Sequence, residues 1–261
     1  MKNFNFKSAS NTKEAIKLVS SKATFLAGGM TLLPAIKLRL AAYTDLINIK
    51  KIKSLSGIKV SSKSLKIGAT TTHAEVAVSK EVGKSISSLA ILAESIGDPQ
   101  VRNRGTIGGS IANNDPAADY PSACLALNAT IHTNKRKIPA NKFFKGMFET
   151  DLKKGELIES VEFEVPEKSA YAKFPNPASR YALVGVYVAK LKNEVRVAVT
   201  GVESCVFRCK KLEDILSKNF SSSAIDDVNI SSKGFNVDIH ASAEYRAHII
   251  KVMAKKAISS C

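Results

Sequence analysis

The sequence has no long hydrophobic run. Its longest apolar stretch, Tyr181–Ala189, is less than half of the ~20 residues that a membrane-crossing helix requires, so no bilayer span is expected. The opening stretch, Met1-Lys2-Asn3-Phe4-Asn5-Phe6-Lys7, has neither an apolar core nor a twin arginine, so no export leader is visible and a cytoplasmic location is expected. Cysteine is scarce and scattered. Cys124, Cys205, Cys209 and Cys261 form no CxxC pair and have no histidine at zinc-site spacing, so a disulfide frame, a metal site and a self-contained iron–sulfur cluster are all excluded as readings. His73, His132, His240 and His248 are equally dispersed. No triad or carboxylate pair stands out, and no catalytic acid, base or nucleophile is assigned.

What is present is a folded composition: 261 residues, 44% hydrophobic and 24% charged, long enough for two or three modest domains. Lysine and arginine outnumber aspartate and glutamate by 39 to 23. That excess raises nucleic acid, anionic lipid or an acidic partner as candidates. Its distribution argues for a solvated lysine-rich surface instead, since 31 of the 39 cations are lysine and no basic helix or aromatic-and-arginine stripe collects them. A docking role toward acidic subunits has no address in the sequence alone.

Periodicity predicts a helix over 12–20 after the cap candidates Ser10 and Asn11, a strand over 23–27, a helix over 32–40 capped by Thr31 with Pro34 in its first turn, and a strand over 45–49. The lysine-rich stretch 50–53 is a natural boundary, giving expected domains of 1–53, 54–166 and 167–261. A hairpin over 58–69 and helices over 70–82 and 86–96 follow. Residues 97–121, dense in glycine, asparagine and proline, read as a long functional loop. Segments 122–127, 129–133, 143–147 and 157–165 read mostly as strands, and 166–177 as a linker or crossover. Paired strands over 181–191 and 195–202 and helices over 210–216 and 243–258 close the chain.

Two glycine motifs are the sharpest features: Leu26-Ala27-Gly28-Gly29-Met30-Thr31-Leu32 and Gly105-Thr106-Ile107-Gly108-Gly109-Ser110. Neither is a GxGxxG fingerprint or a Walker loop. Paired glycines let backbone N–H groups approach a phosphate unshielded by any Cβ. If both loops converge, four or five N–H donors, each contributing about 1.5–3 kcal/mol, hold a diphosphate without a salt bridge.

With their surroundings these motifs resemble the FAD-binding medium subunits of the molybdenum hydroxylases, the group of the xanthine dehydrogenase and carbon monoxide dehydrogenase flavoproteins, and in pattern the freestanding subunits of the carbon monoxide dehydrogenase type. The resemblance rests on Ala27-Gly28-Gly29 with Thr31 and Pro34, on Ile67-Gly68-Ala69-Thr70-Thr71, and on Asp98-Pro99-Gln100-Val101-Arg102 running into Thr106-Ile107-Gly108-Gly109, then Asn114-Asp115-Pro116 and Asp119. Looser matches are Gly155-Glu156-Leu157-Ile158, Tyr171-Ala172-Lys173-Phe174, Arg180-Tyr181-Ala182 and Ala243-Glu244-Tyr245-Arg246.

The resemblance implies an α+β fold of the PCMH type: a small α/β subdomain, a second α+β subdomain, and a C-terminal domain of a small antiparallel sheet with helices. It implies FAD, with Ala27 to Leu32 and Gly105 to Gly109 (Ala27, Gly28, Gly29, Met30, Thr31, Leu32; Gly105, Thr106, Ile107, Gly108, Gly109) around the diphosphate and Asp119 at the polyol or ribose hydroxyls. Ile96, Val101 and Ile158 become apolar cofactor contacts, and Lys173 and Tyr181 neighbours of the isoalloxazine ring. Met30 and Ser110 stand where relatives often carry more polar side chains, which shortens polar reach but leaves the backbone donors in place. The implied partners are a large molybdenum-cofactor subunit and a small [2Fe-2S] subunit, arranged as a dimer of heterotrimers, with electrons passing through FAD to an outside acceptor. Two other readings compete: a stand-alone oxidase of the vanillyl-alcohol type, for which the substrate domain is missing, and a basic nucleic-acid-binding module.

Overall fold

The computed structural model describes residues 2–261, so Met1, part of the opening stretch read above for a leader, lies outside the described residues. The first unit is a parallel three-stranded sheet made by β1 (Asn5–Ser8), α1 (Thr12–Lys17), β2 (Ala23–Leu26), α2 (Leu32–Lys37) and β3 (Asp45–Asn48), in the order β1-β3-β2. Asn11 starts α1 as expected: its side chain accepts from the Glu14 N–H at 2.9 Å. β1 was not foreseen, because Phe6 is its only large apolar residue and is itself 60% exposed. Ala15, Ile47, Ile52, Leu55 and Leu157 form the core under this sheet.

The second unit comprises β4 (Ile58–Val60), β5 (Ser64–Gly68), α3 (His73–Val78), α4 (Lys80–Ser85), α5 (Ser87–Glu94), α6 (Pro99–Arg104), α7 (Ile107–Asn113), α8 (Tyr120–Ala126), β6 (Thr130–Thr133), β7 (Lys137–Pro139), α9 (Ala140–Phe143), β8 (Phe144–Gly146), β9 (Glu149–Thr150) and β10 (Ile158–Glu164). Its five-stranded antiparallel sheet runs β4-β5-β10-β6-β7, so the last strand to be made lies at the centre. Two expectations fail here. Residues 97–121 are not a loop but carry α6, α7 and the start of α8, and 122–127 is helical rather than extended. The polar and glycine residues taken as interruptions are helix punctuation: Asp98 caps α6 with Pro99 in its first turn, Thr106 caps α7, and Asn114, at φ 46°, ends it. The helix expected over 70–82 is likewise two, divided at Ser79, which ends α3 and caps α4.

The third unit is an antiparallel sheet, β11 (Lys168–Pro175), β12 (Ala182–Lys190), β13 (Val195–Thr200) and β14 (Phe207–Arg208), with α10 (Lys210–Lys218) and α11 (Ala243–Ser259). The linker expected over 166–177 is strand β11. Its prolines sit where an edge strand tolerates them, at the end and beyond. The apolar run 181–189 is explained by burial on both faces: Val184, Val186 and Val188 pack toward α11, while Tyr187 and Ala189 pack into the core of the second unit. Each such valine contributes about 1.5–3 kcal/mol. Arg246, 2% exposed on α11, donates to the Leu183 and Gly201 carbonyls at 2.7 and 2.9 Å and pairs with Asp238, tying helix to sheet. Among the described residues no helix is long and apolar enough to cross a membrane.

Candidate functional site

The loop after β2 lies directly on the α6–α7 junction. A Cβ at Gly28 would run into the Arg104 carbonyl oxygen and come within 2.9 Å of Gly105 Cα, so the two glycine motifs touch, backbone to backbone. The second motif rests in turn on residues 69–73. Gly108 is held close enough to Ala69 that a Cβ would fall 2.6 Å from its side chain and its carbonyl oxygen. Three ladder-like bonds fix this layer: His73 N–H to Gly105 O (3.0 Å), Ile107 N–H to Thr71 O (3.1 Å) and Gly108 N–H to Ala69 O (2.9 Å). The His73 imidazole fills the space beside Gly105, 5% exposed, tilted against Tyr120 with ring centroids 5.4 Å apart. Burial, then the Arg102 charge, lowers its pKa to about 4, so it is neutral at pH 7.

The convergence expected from sequence is therefore real, but the donors are divided unequally. In the second motif the N–H groups of residues 107–110 are all committed: to Thr71, to Ala69, to the Thr106 hydroxyl (Gly109, 3.1 Å) and to the Thr106 carbonyl (Ser110, 2.9 Å). In the first motif no N–H from Gly28 to Leu32 has an acceptor among the described residues. Thr31 opens α2 without capping it, which leaves its hydroxyl free as well. Gly29, at φ 77°, makes the turn that lays these five donors out in succession; Met30 and Thr31 are exposed, Gly28 buried beneath them. The expectation that both loops supply donors fails for residues 107–110; the first loop alone carries five free N–H groups, with the other as its support.

A second polar group sits at the base of α8. Asp119, 5% exposed, accepts on Oδ1 from the Tyr171 hydroxyl (2.5 Å) and from Lys173 Nζ (3.0 Å), and Lys173 also donates to the Ser95 carbonyl (2.9 Å). Burial raises the Asp119 carboxyl above the usual carboxylate range, against the pull of Lys173 and then Tyr171, and burial together with Asp119 raises Tyr171 well above an ordinary phenol. Tyr171 and Lys173 are two apart on β11 and so share a face. Gly185 on β12 makes room for Tyr171, since a Cβ there would fall 2.5 Å from its hydroxyl. Tyr181 is 44% exposed, its phenol raised by burial and then by Asp115 and Asp119. Ile96 and Val101 are half-buried, while the side chains of Ile107 and Ile158 lie in the core of the second unit.

Residues 2–167 match the model of the FAD-binding domain in molybdopterin dehydrogenase. The chain belongs to that family. It is 35% identical to the glyceraldehyde dehydrogenase medium chain of Sulfolobus acidocaldarius, over 97% of this chain and 96% of that one, and 32% identical to the carbon monoxide dehydrogenase medium chain of Hydrogenophaga pseudoflava, over 98% and 96%. Among solved structures, reconstituted carbon monoxide dehydrogenase from Oligotropha carboxidovorans superposes with a TM-score of 0.92 at 26% identity, covering 99% of this chain and 97% of that one. The resemblance drawn from the motifs, the α+β fold with its PCMH-type FAD-binding part, and FAD as cofactor all stand: this is the FAD-binding medium subunit of a molybdenum hydroxylase-type oxidoreductase.

The donor set of this FAD-binding subunit suits its cofactor. A row of unpartnered N–H groups is suited to a diphosphate, which brings acceptors and negative charge only. No three histidine, cysteine, aspartate or glutamate side chains among the described residues group as a metal site. Sequence reasoning left two contributors without a role, Tyr171 and Gly185. Both left a signal: Tyr171 is two positions from Lys173, and a lone glycine inside a valine-rich strand marks a close approach.

Proposed function

We propose that this chain holds FAD between the iron–sulfur clusters of a small [2Fe-2S] partner, reduced in turn by a large molybdenum-cofactor partner, and an external electron acceptor, within a cytoplasmic dimer of heterotrimers. The observation that carries the reading is the row of five free N–H groups from Gly28 to Leu32, laid against the junction that leads into the second glycine motif. Bound FAD supplies the electron-carrier chemistry. The chain supplies placement. Ala27 to Leu32 grip the diphosphate, and Gly105 to Gly109 fix the floor beneath. Asp119 offers Oδ2, to which no side chain among the described residues donates, to cofactor hydroxyls, while its Oδ1 anchors Lys173 and Tyr171. Ile96 and Val101 line the apolar side, Ile107 and Ile158 brace it from the core, and Lys173 and Tyr181 flank the ring.

This account asks no acid, base or nucleophile of the chain, and its test separates placement from chemistry. In the reconstituted complex, substrate should bleach the visible flavin band under anaerobic conditions, and adding acceptor should restore it. The isolated chain should be bleached by dithionite and should oxidise no substrate. Turnover of substrate by the isolated chain, or a flavin band in the complex untouched by substrate, would contradict it.

A further inference from the structure

The lysine-rich surface has a concentrated region that the sequence alone did not mark. Between Lys84 and Lys135 the chain carries no lysine, whereas residues 135–154 carry seven cations against two carboxylates. The fold draws these cations together: Arg136, Lys145 and Lys153 all lie within 4 Å of Asp151, at 2.7, 3.7 and 3.8 Å, and Arg136 is also held by Glu156 at 3.0 Å, which leaves the lysines in excess. From the middle of this cluster projects the β8–β9 turn, whose tip bears Met147 and Phe148, 55% and 58% exposed.

The tip is fixed in place. Asn114, 1% exposed and itself left-handed at the end of α7, donates from Nδ2 to the Gly146 and Glu149 carbonyls at 2.7 and 2.8 Å, and its own carbonyl accepts the Phe148 N–H at 3.1 Å. Phe148 is held at φ 56°, a conformation that an aromatic residue adopts only when its surroundings impose it. A buried asparagine thus holds two large apolar side chains out in solvent, beside a stretch in which cations outnumber carboxylates.

We infer that the Met147–Phe148 tip and the cations around it dock the chain onto a partner subunit of its complex, one that offers an apolar socket rimmed by carboxylates. The charge selects the occupant. A second copy of this chain would bring a matching net charge of +16 and repel, whereas an acidic rim would steer the approach and a pre-formed apolar pair would anchor it. The inference rests on the reading of the chain as one subunit of a heteromeric complex.

The test measures binding of the purified FAD-loaded chain to its purified partner subunits at several salt concentrations. Met147→Asp with Phe148→Asp should weaken binding by at least about 100-fold, and Lys145→Glu with Lys153→Glu should slow association about tenfold and flatten its salt dependence. Flavin content and melting temperature should be unchanged in both variants. Wild-type binding with both variants equally tight would overturn the inference and leave the subunit reading intact. A wild-type chain that binds no partner would overturn both. Wild-type self-association abolished by the first variant would place a second copy on the tip and overturn the acidic partner.

Discussion

The two glycine motifs have nearly the same composition and use their backbones in opposite ways. Around Gly28 the N–H groups are free and the peptide approaches another peptide; around Gly108 the N–H groups of residues 107–110 are tied into the protein and the loop serves as a foundation. Glycine therefore has two separate uses here. In both loops it lets main chains approach closely, but the first leaves a continuous row of donors over while residues 107–110 of the second keep none. A ligand-binding loop and the floor beneath it can look alike in sequence and differ entirely in what their hydrogen bonds still have to give.

The sharpest way to break the comparison is Gly28→Ala. Its methyl group would meet the Arg104 carbonyl, so the loops must separate, at a cost of about 3 kcal/mol, with loss of bound flavin read from the visible spectrum. The second test acts on the foundation through pH. His73 titrates near 4 when folded against a reference of 6.5, so the unfolded chain binds the extra proton between those values; stability is full above pH 6.5 and falls by about 3 kcal/mol as pH drops to 4. Urea midpoints across that window should show the slope, and His73→Leu should flatten it.

Tyr171→Phe follows, at about 2 kcal/mol by denaturation, because the buried Asp119 carboxylate loses a charge-assisted bond while Lys173 remains. Thr106→Ala is the mildest. It removes the cap on the Gly109 N–H for about 1 kcal/mol and frees a second-loop donor without touching the first loop, so flavin should stay bound as the melting temperature falls.

Much of the architecture was legible where elements were long or alternated cleanly: β12 with β13, the β4–β5 hairpin, α10 and α11. The three helices over 99–126 were not, because each has six or seven residues, too few for a helical period to declare itself. Their caps dominate the composition and imitate a loop. The prolines around β11 give it the composition of a linker, which masks the shared face of Tyr171 and Lys173. The meeting of the glycine motifs was legible from their kind and their resemblance. The split between free and committed donors was not, since it depends on Ala69 and Thr71 lying under Gly108 and Ile107, a contact made across some forty residues of chain.

The central claim is that one loop grips and the other supports, and amide-resolved hydrogen exchange with and without FAD tests it most directly. The amides of residues 28–32 should exchange fast in the apo chain and become protected when FAD binds, while those of residues 107–110 should already be slow and change little. Protection gained at 107–110 with 28–32 unaltered would contradict the account.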